Sequence, residues 1–273
     1  MQLSISRILA PVDFSRRCEG AARSARRLAA HFHAELILLH VVEPFHVDYA
    51  MVEPFEASLR ALAQANRAKK QAQLDAFAAH DLQGTRVRRL LAEGDAAVQI
   101  IECSKAEKAD LVVMPTQGHS SLRGMLIGSV TAKVLDESER PVLTGTHLEQ
   151  EGDLTDCQVR HILCAVDLGA RTGNVLEWGG ALAKEFAAKL TVLHVAPGLQ
   201  AANGLDKALA AAGLQAAALT AEGEPHKVVS ATAAELSADL VIIGRGTATN
   251  TLGRLRAQAY GIVRQAPCPV LSV

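Results

Sequence analysis

A glycine-bearing stretch at residues 114–135, MPTQGHSSLRGMLIGSVTAKVL, has the composition of a phosphate-binding loop. Gly118 is followed by nine residues, and Gly128 and Ser129 then stand at a predicted helix start. Free backbone N–H groups at a helix N-terminus, the positive end of the helix dipole, attract phosphate. Glycine lets the backbone approach an anion closely, and serine caps the helix or donates to a phosphate oxygen. The stretch therefore predicts a nucleotide loop, with plain turn chemistry as the alternative.

A second polar candidate, Asp13, ends the first apolar run at residues 8–12. On the residues alone, the favoured interpretation is that its carboxylate caps a helix beginning at Ser15 or Arg16. The other interpretation is that the carboxylate faces a ligand at the end of a strand.

The chain that positions these residues is a tandem duplication, which repeats of short motifs reveal. Asp13 returns as Asp167 and His40 as His194, both displaced by 154 residues. Later motifs return with smaller displacements, 129 for Glu93 and 128 for Val142. The fall from 154 to 129 means that the first copy holds 25 extra residues between its second and third strands.

Each copy alternates short apolar runs with helical segments. In the first copy we expect strands near residues 8–12, 36–42, 87–92, 111–114 and 142–144, and helices at 16–32, 58–80, 97–108 and 129–138. This order predicts an α/β fold with a parallel sheet covered on both faces. Ligands of such sheets bind beyond the carboxyl ends of the strands, where the strand order changes direction.

The glycine loop resembles that of the universal stress protein family, whose nucleotide-binding members carry Gly, two residues, Gly, nine residues, Gly, then Ser or Thr. Gly118, Gly128 and Ser129 match this pattern, but Pro115 stands at the first glycine and has no N–H to offer. The resemblance extends over nearly the whole chain, once in each copy. It implies two tandem five-stranded, Rossmann-like domains of the adenine nucleotide alpha hydrolase-like type, with strand order 3-2-1-4-5.

The resemblance also implies a ligand, ATP or a related adenine nucleotide, with Mg²⁺ on its phosphates. It assigns adenine contacts to the Asp13 side chain and the Val41 backbone, and phosphate contacts to the loop. The full predicted site is Pro11, Val12, Asp13, Val41, Met114, Pro115, Gly118, Gly128, Ser129 and Val130.

The second copy departs from the glycine pattern. A displacement of 128 places the equivalents of Pro115, Gly118, Gly128 and Ser129 at Ile243, Gly246, Arg256 and Ala257. We therefore predict a nucleotide domain at residues 1–148 and a degenerate domain at 159–273. The alternative is that Arg245, Arg254 and Arg256 hold an anion by their side chains.

Two further segments bear on ligands and assembly. For the extra segment of the first copy, around residues 45–66, we expect an ordinary helix-capping loop packed on its own helix, with a lid near the adenine pocket or a contact surface as the alternatives. The runs at 141–144 and 269–272 predict edge strands that pair with each other within the chain, giving an internal pseudo-dimer, or that support a homodimer.

Composition narrows the function classes. A net charge of -1, from 28 basic and 29 acidic residues, gives no general field for nucleic acid or anionic membrane, so neither is an expected partner. The five cysteines form no C-x-x-C pair, and the N-terminal residues carry no targeting pattern, so a cytoplasmic location is expected.

We find no catalytic motif or positioned base and nucleophile. The prediction is a nucleotide-dependent regulator of the stress response. A nucleotide-free interaction module and a slow ATPase are the alternatives.

Overall fold

The structure is a computed structural model that describes residues 3–43, 56–118, 127–145, 158–196, 202–245 and 254–273. The strands are β1 (Arg7–Pro11), β2 (Glu35–Val42), β3 (Val87–Glu93), β4 (Leu111–Val113), β5 (Val142–Thr144), β6 (His161–Val166), β7 (Lys189–Val195), β8 (Ala217–Ala221), β9 (Leu240–Ile243) and β10 (Val270–Ser272). The helices are α1 (Arg16–Phe32), α2 (Glu56–Ala76), α3 (Ala96–Ala106), α4 (Ser129–Glu137), α5 (Thr172–Glu185), α6 (Ala202–Ala212), α7 (Pro225–Glu235) and α8 (Arg254–Gln265).

The strands form one ten-stranded sheet in the order β3-β2-β1-β4-β5-β10-β9-β6-β7-β8. Each half therefore has the predicted order 3-2-1-4-5, and all pairs within a half are parallel. The halves join through β5 and β10, which pair antiparallel with Leu143 opposite Leu271. The two predicted edge strands thus pair with each other within the chain.

Helices cover both faces of the sheet because alternate strand residues point to opposite sides. Ile8 of β1 belongs to the apolar cluster under α1, α2, α5 and α6, whereas its neighbour Leu9 belongs to the cluster under α3, α4, α7 and α8. Both clusters contain residues of both halves, so each layer of the core is continuous across the β5–β10 pair.

The first helix illustrates how local sequence sets the boundaries. Ser15 is the N-cap of α1 and its side chain accepts a hydrogen bond from the Cys18 amide, while His33 ends the helix in the left-handed region at φ 53°. The helix therefore begins directly after the carboxyl end of β1, which aims its N-terminus at that edge of the sheet.

Candidate functional site

A cleft of about 540 Å³ lies at the carboxyl ends of β1 and β4, where the strand order of the first half changes direction. We refer to it as the β1/β4 cleft. Its lining includes every residue of the predicted site: Pro11, Val12, Asp13, Val41, Met114, Pro115, Gly118, Gly128, Ser129 and Val130. Residues about a hundred positions apart thus meet at one edge of the sheet because β1 and β4 are neighbours.

Asp13 forms one wall of this cleft and does not cap α1. Its Oδ1 accepts a hydrogen bond from the Ser15 amide at 2.9 Å, an Asx-type turn that fixes the carboxylate beside the strand end. Because Ser15 itself is the N-cap, the expectation that Asp13 would cap the helix is wrong. The Asp13 side chain lies over the cleft instead.

Gly118 brings the loop after β4 against this carboxylate. A Cβ atom at position 118 would lie 2.2 Å from the Asp13 Oδ2. This distance is too short for a real contact, so any side chain at position 118 would require the carboxylate to move. The glycine therefore allows the two strand ends to close on each other. Part of its role is packing, in addition to the predicted approach to phosphate.

The N-terminus of α4 opens into the cleft without a side-chain cap, because its N-cap is Gly128. The first bond of the helix runs from the Ala132 amide to the Gly128 carbonyl at 2.8 Å, so the amides of residues 129–131 precede it. Ser129 is exposed. This arrangement can bind an anion with backbone donors and the positive end of the helix dipole.

Packing does not require the glycine at position 128. Its backbone angles, φ −60° and ψ 147°, are open to any residue, and the nearest described atoms to an added Cβ lie 3.5 Å away. That distance is an ordinary van der Waals contact. Gly128 is therefore best explained by the room that it leaves in front of the helix.

Pro115, the departure from the glycine pattern, anchors α4. Its carbonyl oxygen accepts a hydrogen bond from the buried Thr131 Oγ1 at 3.1 Å, and the next carbonyl, of Thr116, accepts from the Gly128 amide at 2.8 Å. Pro115 therefore has no N–H to donate, but its carbonyl and that of Thr116 accept hydrogen bonds that fix the start of α4.

His40 and Lys70 line the cleft, although sequence reasoning did not assign them to the site, and both contact Phe14. The His40 Nδ1 donates to the Val12 carbonyl at 2.8 Å, and its ring lies 4.1 Å from that of Phe14. Burial lowers the pKa of His40, so its neutral form is favoured. The Lys70 Nζ lies 5.4 Å from the centre of the Phe14 ring, within the range of a cation–π contact.

Lys70 and Asn66, both on α2, line the cleft and were also missed. They are four residues apart, a spacing that places both side chains on one helical face, so periodicity was the available signal. Phe45, Tyr49 and Phe55, on which the predicted lid depends, lie outside the described residues. Cys18 lines the cleft too, but burial raises the pKa of its thiol to about 12, which leaves it unreactive.

The corresponding cleft of the second half has a volume of only about 120 Å³. Asp167, Val195 and Ile243 line it, as their positions in the repeat predict. Gly246 and the side chains of Arg254 and Arg256 lie outside the described part of the chain. Arg245 is not among the described residues that line this cleft, because its guanidinium donates to the carbonyls of Ser138 and Arg140 in the first half.

Strand register corrects one assignment within the repeat. Ile8 pairs with Leu111 in the first half, and Ile162 pairs with Leu240 in the second, so the displacement at these strands is 129. The equivalent of Pro115 is therefore Gly244 and not Ile243. The displacement is 128 at β5 and β10, so the second half is one residue shorter between its fourth and fifth strands.

Among the described residues, no three histidine, cysteine, aspartate or glutamate residues are grouped so as to hold a metal ion. None of the described helices combines the length and apolar character that a membrane crossing needs.

Comparisons with known proteins agree with this architecture. The sequence model of the Universal stress protein family matches residues 4–144, 158–211 and 198–273. A universal stress protein of Thermus aquaticus is 35% identical over 139 residues, which are 50% of this chain and 95% of that protein. One from Methanocaldococcus jannaschii is 30% identical over 138 residues, 50% of this chain and 79% of that protein.

Solved structures show the same fold over the whole chain. The crystal structure of a universal stress protein from Archaeoglobus fulgidus matches with a TM-score of 0.73 and 20% identity, covering 99% of this chain and 98% of that chain. A Pseudomonas aeruginosa structure described as a putative universal stress protein matches with a TM-score of 0.65 and 19% identity, covering 99% of this chain and 93% of that chain. With the family model matched along both halves, this chain belongs to the universal stress protein family.

Proposed function

We propose that the first half binds an adenine nucleotide, ATP or a close relative, in the β1/β4 cleft. The observation that carries the proposal is the N-terminus of α4, which opens into the cleft behind a glycine that packing does not require. The cleft volume of about 540 Å³ lies in the usual range for small-molecule sites, roughly 300 to 1,000 Å³.

The lining residues divide by chemistry into a base side and a phosphate side. Asp13 and the backbone of Val41 would bind the adenine, with Pro11, Val12 and Met114 as the apolar wall. Gly118, Gly128, Ser129 and Val130 would bind the phosphates through amides and the Ser129 hydroxyl, next to Pro115. Mg²⁺, where present, would be held chiefly by the phosphate oxygens.

In this proposal the protein acts as a nucleotide-dependent regulator in the stress response. Binding joins the loop after β4 to the ends of β1 and β2, so the ligand stabilises one arrangement of that edge. A nucleotide-free interaction module and a slow ATPase are the competing functions, and the cytoplasmic location stays a prediction.

Calorimetric titration with ATP tests the proposal directly. We expect binding near one equivalent per chain, because the cleft of the second half is several times smaller. Gly128→Asp should lower the affinity at least about tenfold, since its carboxylate would accept from the amides of α4 and repel phosphate. The same change should raise the free energy of unfolding by about 0.5 to 1 kcal/mol, because the new carboxylate adds a side-chain cap to the N-terminus of α4.

Glu224→Asp is the matched control, because Glu224 is the N-cap of α7 and its side chain makes no cap bond among the described residues. It should leave ATP affinity unchanged. Unchanged ATP affinity in Gly128→Asp would contradict the assigned phosphate site. If the parent protein did not bind ATP, the interaction module would be favoured. Release of phosphate from ATP over many turnovers, abolished by Gly128→Asp, would favour the ATPase.

We also propose that the halves, residues 1–148 and 159–273, form an internal pseudo-dimer. Residues at equivalent positions of the repeat contact each other, as they do only along a two-fold axis. Phe32 meets Phe186, displaced by 154, with ring centroids 5.9 Å apart, and Leu143 pairs with Leu271, displaced by 128. Further assembly into a homodimer stays open to measurement by light scattering.

A further inference from the structure

A second cavity, of about 610 Å³, lies between the two halves. The first half contributes the end of α4 and the residues before β4 and β5, and the second contributes α5, α8 and the end of β10. We refer to it as the interdomain cavity. Three arginines line it, Arg140, Arg171 and Arg245.

Arg245 is half-buried, and no described aspartate or glutamate forms an ion pair with it; its amide donates to the main-chain oxygen of Val273 at 2.9 Å. Its guanidinium donates to the backbone carbonyls of Ser138 at 2.5 Å and Arg140 at 2.8 Å. Burial, with the positive charge of Arg171, lowers the pKa of Arg245 to about 10. Carbonyl dipoles satisfy N–H donors, but a buried cation is still costly without an opposite charge.

Arg171 lies beside Arg245. A Cβ atom at Gly244 would come 2.9 Å from the Arg171 Cβ, so the stem of this arginine packs directly on the backbone next to Arg245. Its equivalent in the first half, displaced by 154, is Arg17, whose Nη1 donates to the Gln117 Oε1 at 2.8 Å. Among the described residues Arg171 has no comparable acceptor, and its neighbour is a cation.

Arg140 adds a further donor. Its Nε is buried and has no hydrogen-bond partner among the described residues. Three guanidinium groups therefore line one cavity, and two of them have donor capacity that the described protein atoms do not use.

The acidic residues of the cavity lining are engaged elsewhere or lie at its rim. The Asp110 carboxylate accepts from the amides of Ser6 and Arg7, and Glu139 pairs with Lys105 at 2.8 Å. Asp136 and Glu137 are exposed. In the described ranges, Asp110 and Glu139 form no ion pair with Arg171 or Arg245.

We propose that the interdomain cavity binds a phosphate-bearing anion, held by Arg171 and Arg245 with Arg140 as a third donor. Guanidinium groups match phosphate oxygens with paired hydrogen bonds, and two adjacent cations favour a multivalent anion over a monocarboxylate. The volume exceeds that of a bare phosphate group, which leaves room for an organic part beside Trp178 and Tyr260. This site is separate from the β1/β4 cleft and does not depend on the nucleotide proposal.

Trp178 provides a reporter at the site, because it lines the cavity and is the single tryptophan of the chain. The experiment titrates the full-length protein with inorganic phosphate and with ribose 5-phosphate while Trp178 fluorescence is followed. Sodium chloride at equal ionic strength is the control. We expect a saturable change with a phosphate probe and none with chloride. A stronger response to ribose 5-phosphate would identify a phosphorylated metabolite, and an equal response free phosphate.

Variants assign the response to the arginines. Arg171→Gln and Arg245→Gln should each weaken phosphate binding at least tenfold. Arg245→Gln also places a glutamine beside Arg171, as Gln117 lies beside Arg17 in the first half. Arg160→Gln removes the same charge from an exposed position and should leave binding unchanged. Gly128→Asp should also leave it unchanged, which separates this site from the nucleotide site.

Thermal unfolding without phosphate checks that each variant is folded, and Arg171→Gln, at a less buried position, is decisive if Arg245→Gln unfolds. The proposal is overturned if the parent protein shows no saturable change in Trp178 fluorescence. Equal phosphate affinity in Arg171→Gln and the parent would overturn it as well.

Discussion

Gly118 and Gly128 look alike in the sequence but have different physical roles. Gly118 serves packing within the protein, because the Asp13 carboxylate occupies the space where a Cβ would lie. A Cβ added at Gly128 would make only ordinary contacts with the described atoms, and the backbone angles are unstrained, so the fold would accept other residues there. A motif match alone therefore does not tell which glycine serves packing and which serves a ligand.

The role of Gly118 leads to a prediction about coupling. Gly118→Ala should lower the free energy of unfolding by about 1 kcal/mol, because the new Cβ displaces the Asp13 carboxylate. In an Asp13→Ala background the same change should cost much less, since the clashing oxygen is gone. Urea unfolding of the four proteins gives the coupling free energy. Equal costs in the two backgrounds would contradict the contact.

At the scale of elements, the two halves differ most between their second and third strands. The first half has the 21-residue helix α2 there, and the second has the 11-residue α6. The longer helix brings Asn66 and Lys70 over the β1/β4 cleft. The extra length of the first copy thus adds polar and basic side chains to the half that keeps the glycine loop.

This difference predicts a role for Lys70 in ligand affinity. Lys70→Ala should weaken ATP binding severalfold, with a smaller salt dependence than in the parent, because a cation is lost from the cleft lining. Lys69→Ala is the control, since Lys69 is the neighbouring residue of α2 and is exposed. Calorimetry at two salt concentrations measures both variants, and identical affinities would exclude α2 from the site.

At the scale of the whole molecule, the two halves share one sheet and two continuous apolar layers. Leu143 and Leu271 pair where β5 meets β10, and both are buried. Above this joint, His31 contacts Glu185 at 3.1 Å at the facing ends of α1 and α5. The apolar clusters cross the joint on both faces, which favours unfolding as a single unit.

Cooperativity between the halves can be measured with a substitution far from the reporter. Leu38→Ala in β2, at a fully buried position, should cost about 2 to 5 kcal/mol. Trp178 lies in the second half, so a shift of its fluorescence midpoint in urea would report coupling through the sheet. Leu62→Ala, at an exposed position on α2, is the control. An unchanged Trp178 midpoint in Leu38→Ala would mean that the halves unfold independently.

The sequence by itself determined the duplication, the order of helices and strands, and the glycine loop of the candidate site. These follow from local signals: apolar runs of strand length, helical periodicity, and glycines at fixed spacing. The strand order and the adenine contacts of Asp13 and Val41 came from the family resemblance, and the strand pairing confirms the strand order.

The tertiary structure alone decided which of these residues touch. Helix placement and strand register decide the contact of Asp13 with Gly118 and the approach of Lys70 to Phe14. Strand register also shows that the equivalent of Pro115 is Gly244 and not Ile243. The interdomain cavity depends on the pairing of β5 with β10, which brings Arg171 and Arg245 against the first half. Local sequence patterns do not encode such contacts, because they arise from packing between segments more than a hundred residues apart.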